Sequence, residues 1–193
     1  LGLGAGTDGF DAAVLGIEAL TPKQRADRFA ELVQHLDTLL TTSDVTVTGE
    51  YFSAVEARTI PGCVQTPRVP FAIAATGPRG MRLAVEHGQA WVTTGDPAVF
   101  EEGSAADSRA AIARQIERLE AACEMAGRDP RSLERILLTG FLPENPLTSV
   151  GQFEDFVGAH AELGITEIVV HAPIAGTQFE MNEAVYEALT GVR

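Results

Sequence analysis

The chain is poor in positive charge, poor in cysteine and without a long hydrophobic run. It holds one lysine, Lys23, and its 14 Lys+Arg face 27 Asp+Glu, a formal net charge of -13 over 193 residues. Such an acidic excess repels nucleic acid phosphates and anionic lipid unless a local basic patch overrides it, and no such patch is present. Neither nucleic acid nor a membrane is therefore expected as a partner. The two cysteines, Cys63 and Cys123, lie far apart and outside any CxxC or Cys/His cluster, which argues against a disulfide framework and against a zinc site. No metal is expected. No stretch approaches the roughly 18 apolar residues of a membrane-spanning helix, and no charged n-region with an apolar h-region opens the chain. The expectation is a soluble protein of the reducing cytoplasm.

What the chain does hold is an ordinary globular balance, 45% hydrophobic and 21% charged, enough to build a core. Its length exceeds that of a usual domain but falls short of the roughly 250 residues of a typical eight-stranded (β/α) barrel. One large domain, or part of one, is expected. The first residues, Leu1-Gly2-Leu3-Gly4-Ala5-Gly6, read as a strand entering a Gly turn without an initiator Met, so the chain is expected to begin in mid-fold.

Apolar residues Phe29, Leu32, Val33, Leu36, Leu39 and Leu40 recur at three- and four-residue steps and predict a helix over residues 21–41. Thr21, Pro22 and Gln24 supply its N-cap, N1 and N3. A polar connection through Gly49, Glu50, Tyr51 and Phe52 leads to strands over residues 69–75 and 90–94, with a helix over residues 79–87 between them. A long helix is predicted over residues 108–126 and stops at Gly127. Strands over residues 135–140 and 167–171 flank a helix capped by Ser149 and Gln152, and a last helix covers residues 179–189. The strands are continuously apolar and alternate with helices, which describes a parallel sheet buried on both faces. An open doubly wound sheet and five staves of a barrel both satisfy that order.

In either arrangement ligands bind at the carboxyl ends of the strands. The strongest signal there is Ala74-Ala75-Thr76-Gly77-Pro78-Arg79-Gly80, where helix-start amides, a hydroxyl and a guanidinium can converge on a phosphate. A capped helix with an exposed arginine reads equally well from the same residues. Gly4-Ala5-Gly6-Thr7-Asp8-Gly9 spells GxGxxG, the pattern of a dinucleotide-binding turn, but the acidic strand end expected about 20 positions on falls inside a helix. His35, His87 and His160 sit on predicted helices, where structural roles are the usual ones. His171 ends a strand and can face a ligand. No Ser-His-Asp order or paired-carboxylate spacing marks a catalytic residue, and Thr7 with Asp8 is at best a substrate-facing pair.

Residues 1–6, the helix after Thr21-Pro22, Gly49-Glu50-Tyr51-Phe52, Pro67-Arg68-Val69-Pro70, Ala74-Ala75-Thr76-Gly77-Pro78-Arg79 and Ala90-Trp91-Val92-Thr93-Thr94-Gly95, in that order and spacing, resemble the luciferase-like monooxygenase family. The resemblance covers most of the chain. It implies an α/β fold of the TIM-type (β/α)8 barrel, of which this chain holds about five β/α units, strands four to eight, as one domain over residues 1–193. It further implies an oxidoreductase that binds FMN or coenzyme F420 and acts on a small organic substrate, and it allows a homodimer. By position, Ala75, Thr76, Gly77 and Arg79 would form the phosphate site, with Thr93 and Thr94 beside it and Gly6 and Thr7 bordering the ring system. Some deazaflavin relatives carry a glutamate where this chain has Thr7 followed by Asp8, so no proton donor is assigned. The family has three further β/α units ahead of a strand like residues 1–6, and the chain is expected to be part of a protein of about 290 residues. Two other readings stand beside this one: a non-catalytic barrel subunit that stabilises a related partner, and an open Rossmann-like nucleotide-binding domain built on residues 4–9.

Overall fold

Continuously apolar segments form the strands, and amphipathic segments with capped starts form the helices between them. The computed structural model describes residues 1–7, 9–16, 18–177 and 179–191. In chain order these form β1 (Gly2–Leu3), α1 (Phe10–Val14), α2 (Pro22–Thr41), β2 (Val45–Thr48), β3 (Ser53–Ala57), β4 (Ala72–Ala74), α3 (Pro78–His87), β5 (Ala90–Thr93), α4 (Pro97–Glu102), α5 (Ala105–Ala126), β6 (Glu134–Leu138), α6 (Val150–Glu162), β7 (Glu167–Val169) and α7 (Glu183–Thr190). They group into two compact units, Leu1–Trp91 with Ala122–Leu133, and Val92–Ala121 with Glu134–Arg193. No helix among the described residues is long and apolar enough to cross a membrane.

The first unit carries the strand order β1-β4-β5. β1 and β4 pair in parallel, with Gly2 opposite Ala72 and Leu3 opposite Ile73. α2 starts as its sequence predicts: Gln24 N-H donates to the Thr21 hydroxyl at 3.3 Å, and Thr21 N-H donates to the Gln24 side chain at 3.0 Å. This reciprocal pair satisfies two donors that the helix itself leaves unpaired. The core is built from Phe29 and Val33 of α2, Phe71, Ile73, Met81, Ala84 and Trp91, all buried. Each large side chain among them contributes about 1.5–3 kcal/mol by leaving water.

Two polar groups fix this unit. Arg68 is 4% exposed, and its Nε donates to Asp37 of α2 at 2.6 Å, its Nη1 to Val69 O and the Gln89 side chain, and its Nη2 to His87 O at 2.8 Å. The guanidinium also lies over the Phe71 ring, 3.3 Å from the centroid. One buried cation thus ties α2, the segment leading into β4 and the end of α3 together. Arg128 then closes α3, donating Nη1 to Val85 O at 2.6 Å and Gly88 O at 2.9 Å, where helix carbonyls otherwise go unpaired.

The connection through residues 49–52 is not merely a polar link. It is the turn of an antiparallel hairpin, β2 with β3. The Glu31 carboxylate of α2 accepts the N-H groups of Glu50, Tyr51 and Phe52 at 2.8, 2.9 and 2.6 Å. A Cβ on Gly49 would lie 2.2 Å from a Glu31 oxygen, so a side chain there would displace that carboxylate from the three amides. Partial burial drives the Glu31 carboxyl upward, but the three amides prevail and hold it below the usual range.

The second unit carries the order β5-β6-β7, with β6 and β7 parallel and Leu137 opposite Ile168. Its core holds Ile112, Ile116 and Leu119 of α5, Leu137, Leu147, Phe156 and His160. Two helices start elsewhere than predicted. α5 begins at Ala105 because Ser104 and Asp107 cap each other, Ser104 N-H donating at 2.9 Å and Asp107 N-H at 3.2 Å. α7 begins at Glu183 because Asn182 accepts Val185 N-H. α4 also follows a cap, Asp96 accepting Ala98 N-H at 3.0 Å, where the sequence reads only as a strand end.

Candidate functional site

Because β1 and β4 are adjacent and parallel, their carboxyl ends leave the first unit side by side. A Cβ on Gly4 would meet Ala74 Cβ at 3.7 Å, which measures how closely the two chains run. Gly6 follows in the left-handed region at φ +72, which turns the chain sharply away from β1. Gly6 and Thr7 are both exposed. Asp8 lies outside the described residues.

The turn after β4 has a fixed base and an open tip. Ala75 O accepts the Trp91 indole N-H at 2.7 Å, which pins the strand end. Gly80 lets α3 settle on Ala75, since a Cβ there would stand 2.7 Å from Ala75 Cβ. Gly77 is the N-cap of α3 and offers no side-chain cap, and Pro78 at N1 has no N-H. Among the described residues the amides of Arg79 and Gly80 find no backbone or side-chain acceptor. A Cβ built on Gly77 meets nothing within 4 Å. Thr76 is exposed beside them. Unpaired donors at the positive end of a helix, with space in front of them, suit an anion.

Arg79 is not a free arm. Its guanidinium pairs with Asp27 of α2, whose other oxygen takes Lys23 Nζ at 2.8 Å. Hydrogen bonds from Lys23 and Arg79 hold the Asp27 carboxyl below its usual range. Lys23, Asp27 and Arg79 thus form one charged cluster beside the first turn of α3.

Thr93 and Thr94 belong to the second unit. Thr93 is buried, and its hydroxyl donates to Gln115 Oε1 at 2.6 Å and accepts Gly95 N-H at 3.0 Å. Gln115 Nε2 closes the ring on Gly95 O at 3.0 Å. The Thr93 hydroxyl is thus committed to shaping the turn after β5, where Gly95 sits at φ +85. Thr94 is half-buried.

At the ends of β6 and β7 the same unit gathers aromatic side chains. His171 stacks on Phe179 with ring centroids 4.3 Å apart, and Phe141 meets both edge-on. Gly140, at φ +96, makes this possible, because a Cβ there would lie 2.7 Å from both rings. His171 Nε2 is buried with no hydrogen-bond partner. His160 is fully buried in α6 and its Nδ1-H donates to Phe156 O at 2.8 Å. His87 stands 3.5 Å from Asp37.

A profile of the luciferase-like monooxygenase family matches residues 1–143. The chain belongs to that family. An F420-dependent glucose-6-phosphate dehydrogenase from Beutenbergia cavernae is 36% identical over 94 residues, which span 49% of this chain and 27% of that protein. Two solved structures share the fold. An F420-dependent secondary alcohol dehydrogenase superposes with a TM-score of 0.68 at 18% identity, over 96% of this chain and 68% of that one. A coenzyme F420-dependent tetrahydromethanopterin reductase from Methanopyrus kandleri superposes with a TM-score of 0.66 at 14% identity, over 99% and 72%. The parallel α/β architecture is accordingly that of the luciferase-like TIM-type barrel, not an open doubly wound sheet.

In this luciferase-like chain the first unit brings Gly6, Thr7, Ala75, Thr76, Gly77 and Arg79 to one end of two paired strands. Three residues that shape the candidate site escape a reading of the sequence: Trp91, which anchors Ala75; Asp27, which holds Arg79; and Gln115, which occupies Thr93. Only Asp27 left a local trace, its i, i+4 spacing from Lys23.

Proposed function

We propose that this chain carries the cofactor-phosphate site of an oxidoreductase that uses FMN or coenzyme F420 and acts on a small organic substrate. The observation behind the reading is the uncapped amino end of α3, open in front of Gly77 and backed by a pinned strand end. Family membership and the F420-dependent relative support it. The amides of Arg79 and Gly80 and the Thr76 hydroxyl would bind the phosphate, with Ala75 and Gly77 leaving room for it. Arg79 and Lys23 add cationic groups beside it, and Asp27 orients them. Gly6 and Thr7 would border the ring system. Thr93 would act at second hand, by setting the turn that presents Thr94. When bound, such a cofactor supplies hydride transfer or oxygen activation, and the protein supplies binding and orientation.

The test is a fluorescence titration of the protein with FMN and with F420, repeated on Arg79→Ala. The expected loss is about 1–3 kcal/mol of binding free energy, the range for hydrogen bonds to a charged partner. Unchanged affinity in the variant would remove the Arg79 guanidinium from the site and leave the backbone amides as its only support.

A further inference from the structure

The buried stripe of α5 runs through Ser108, Ile112, Gln115, Ile116 and Leu119. Two of these are polar, and a glutamine seldom lies in a core unless its amide is fully used. Both face the same turn. Gln115 is 5% exposed; its Oε1 accepts the Thr93 hydroxyl at 2.6 Å and its Nε2 donates to Gly95 O at 3.0 Å. Gly95 N-H donates in turn to the Thr93 oxygen at 3.0 Å, so three hydrogen bonds close a ring through Thr93, Gly95 and Gln115. Gly95 also packs tightly: at φ +85, a Cβ there would lie 2.9 Å from Leu142 Cδ2 and 3.9 Å from Ser108 Oγ. Packing alone needs no amide at position 115, since a leucine or methionine would continue the apolar stripe. What the amide adds is direction, because one acceptor and one donor on a single planar group set the Thr93 hydroxyl and the Gly95 carbonyl together.

We propose that Gln115 is a positioning residue for the ligand-binding turn after β5: it acts through Thr93 and Gly95 to hold Thr94, the residue between them, in the orientation that a bound cofactor meets. The inference rests on the oxidoreductase reading above for the identity of that ligand. It also separates two threonines that adjoin in the sequence. The Thr93 hydroxyl is committed to Gln115 and Gly95, which leaves Thr94 as the one that meets the ligand.

Gln115→Glu tests this, because a carboxylic acid keeps both functions of the amide and a carboxylate keeps only one. Protonated, the new side chain donates to Gly95 O and accepts from Thr93; ionised, it can only accept, and it repels the Gly95 carbonyl. Burial raises such a carboxyl, so the change falls between about pH 5 and about pH 9. Fluorescence titrations with FMN and with F420 across that range should give the variant the affinity of the unaltered protein at the acid end and about tenfold or more weaker binding at the alkaline end. Gln115→Met, uncharged and of similar length, should show the loss at every pH. A variant-to-unaltered ratio that does not move with pH, or full affinity in the methionine variant, overturns the proposal. A protein that binds neither cofactor overturns the reading above and this inference with it, whereas binding shared equally by the unaltered chain and both variants overturns this inference alone. One further measurement needs no variant to fold: the Gly95 amide hydrogen of the unaltered protein should exchange about tenfold or more slowly than an open turn amide, and exchange at the open rate refutes the ring.

Discussion

Replacing Arg68 with methionine probes how the first unit holds the turn after β4. The side chain keeps much of its volume, so the cavity contribution is small, but every polar bond of the guanidinium is lost. Asp37, His87 O, Val69 O and Gln89 lose their donor, and Phe71 loses its cation. Removing one partner of a buried ion pair costs about 3–5 kcal/mol. Asp37 is 35% exposed and recovers water, which places the expectation at the lower end, about 3 kcal/mol, or two powers of ten in the folding constant. Urea unfolding followed by Trp91, the single tryptophan and fully buried in the same unit, measures it directly. Arg68→Lys should fall between the two, since an ammonium cannot span the same four acceptors. A loss below about 1 kcal/mol for the methionine variant would refute the view that this buried cation organises the unit.

Further outcomes follow from His160 and Glu31. Burial is the leading influence on His160 and holds its imidazole below the usual range, against the Phe156 carbonyl and the Glu144 charge. Such a ring takes up its proton more readily unfolded than folded, so stability should fall as pH drops below about 6.5, and His160→Gln should flatten that slope. An identical slope in the variant would show that other groups set it. Glu31 has a depressed carboxyl, so its contribution is present above the unfolded value and is lost as pH falls through the lower folded one. Glu31→Ala should speed hydrogen exchange at Glu50, Tyr51 and Phe52 and leave the amides of α3 unaffected; unchanged exchange at those three would show that the hairpin turn holds itself.

Much of the fold is legible in the sequence because its signals are local. The Thr21/Gln24 capping box, the Gly77-Pro78 entry to α3 and the stop at Gly127, left-handed at φ +69, each act within a few residues. The alternation of apolar strands with helices carries the parallel sheet in the same way. What escapes is long-range or hidden in a partner. The β2–β3 hairpin shows alternation in Val45-Thr46-Val47-Thr48, but its turn is organised by Glu31, 19 or more positions away. Arg68 reads as one arginine among many, and its burial follows from acceptors on α2 and at the end of α3, 19 or more positions away. At the candidate site, the small residues after each strand are visible, whereas the fate of each polar side chain is not. Thr93 turns inward to Gln115, and Arg79 is held across 52 positions by Asp27.

If the amino end of α3 grips a phosphate, the protein must distinguish ligands that carry one from ligands that do not. The decisive comparison is FMN with riboflavin, which lacks that group, on the protein and on Gly77→Asp. The backbone at Gly77, φ -97 and ψ 161, accepts an aspartate, and nothing blocks its Cβ. The new carboxylate would cap the helix, adding a few tenths of a kcal/mol of stability, while occupying the amides that the phosphate needs. The protein should prefer FMN over riboflavin by about tenfold or more, and Gly77→Asp should erase the preference without loss of thermal stability. Equal affinity for the two flavins, or a preference that survives in the stable variant, would contradict it.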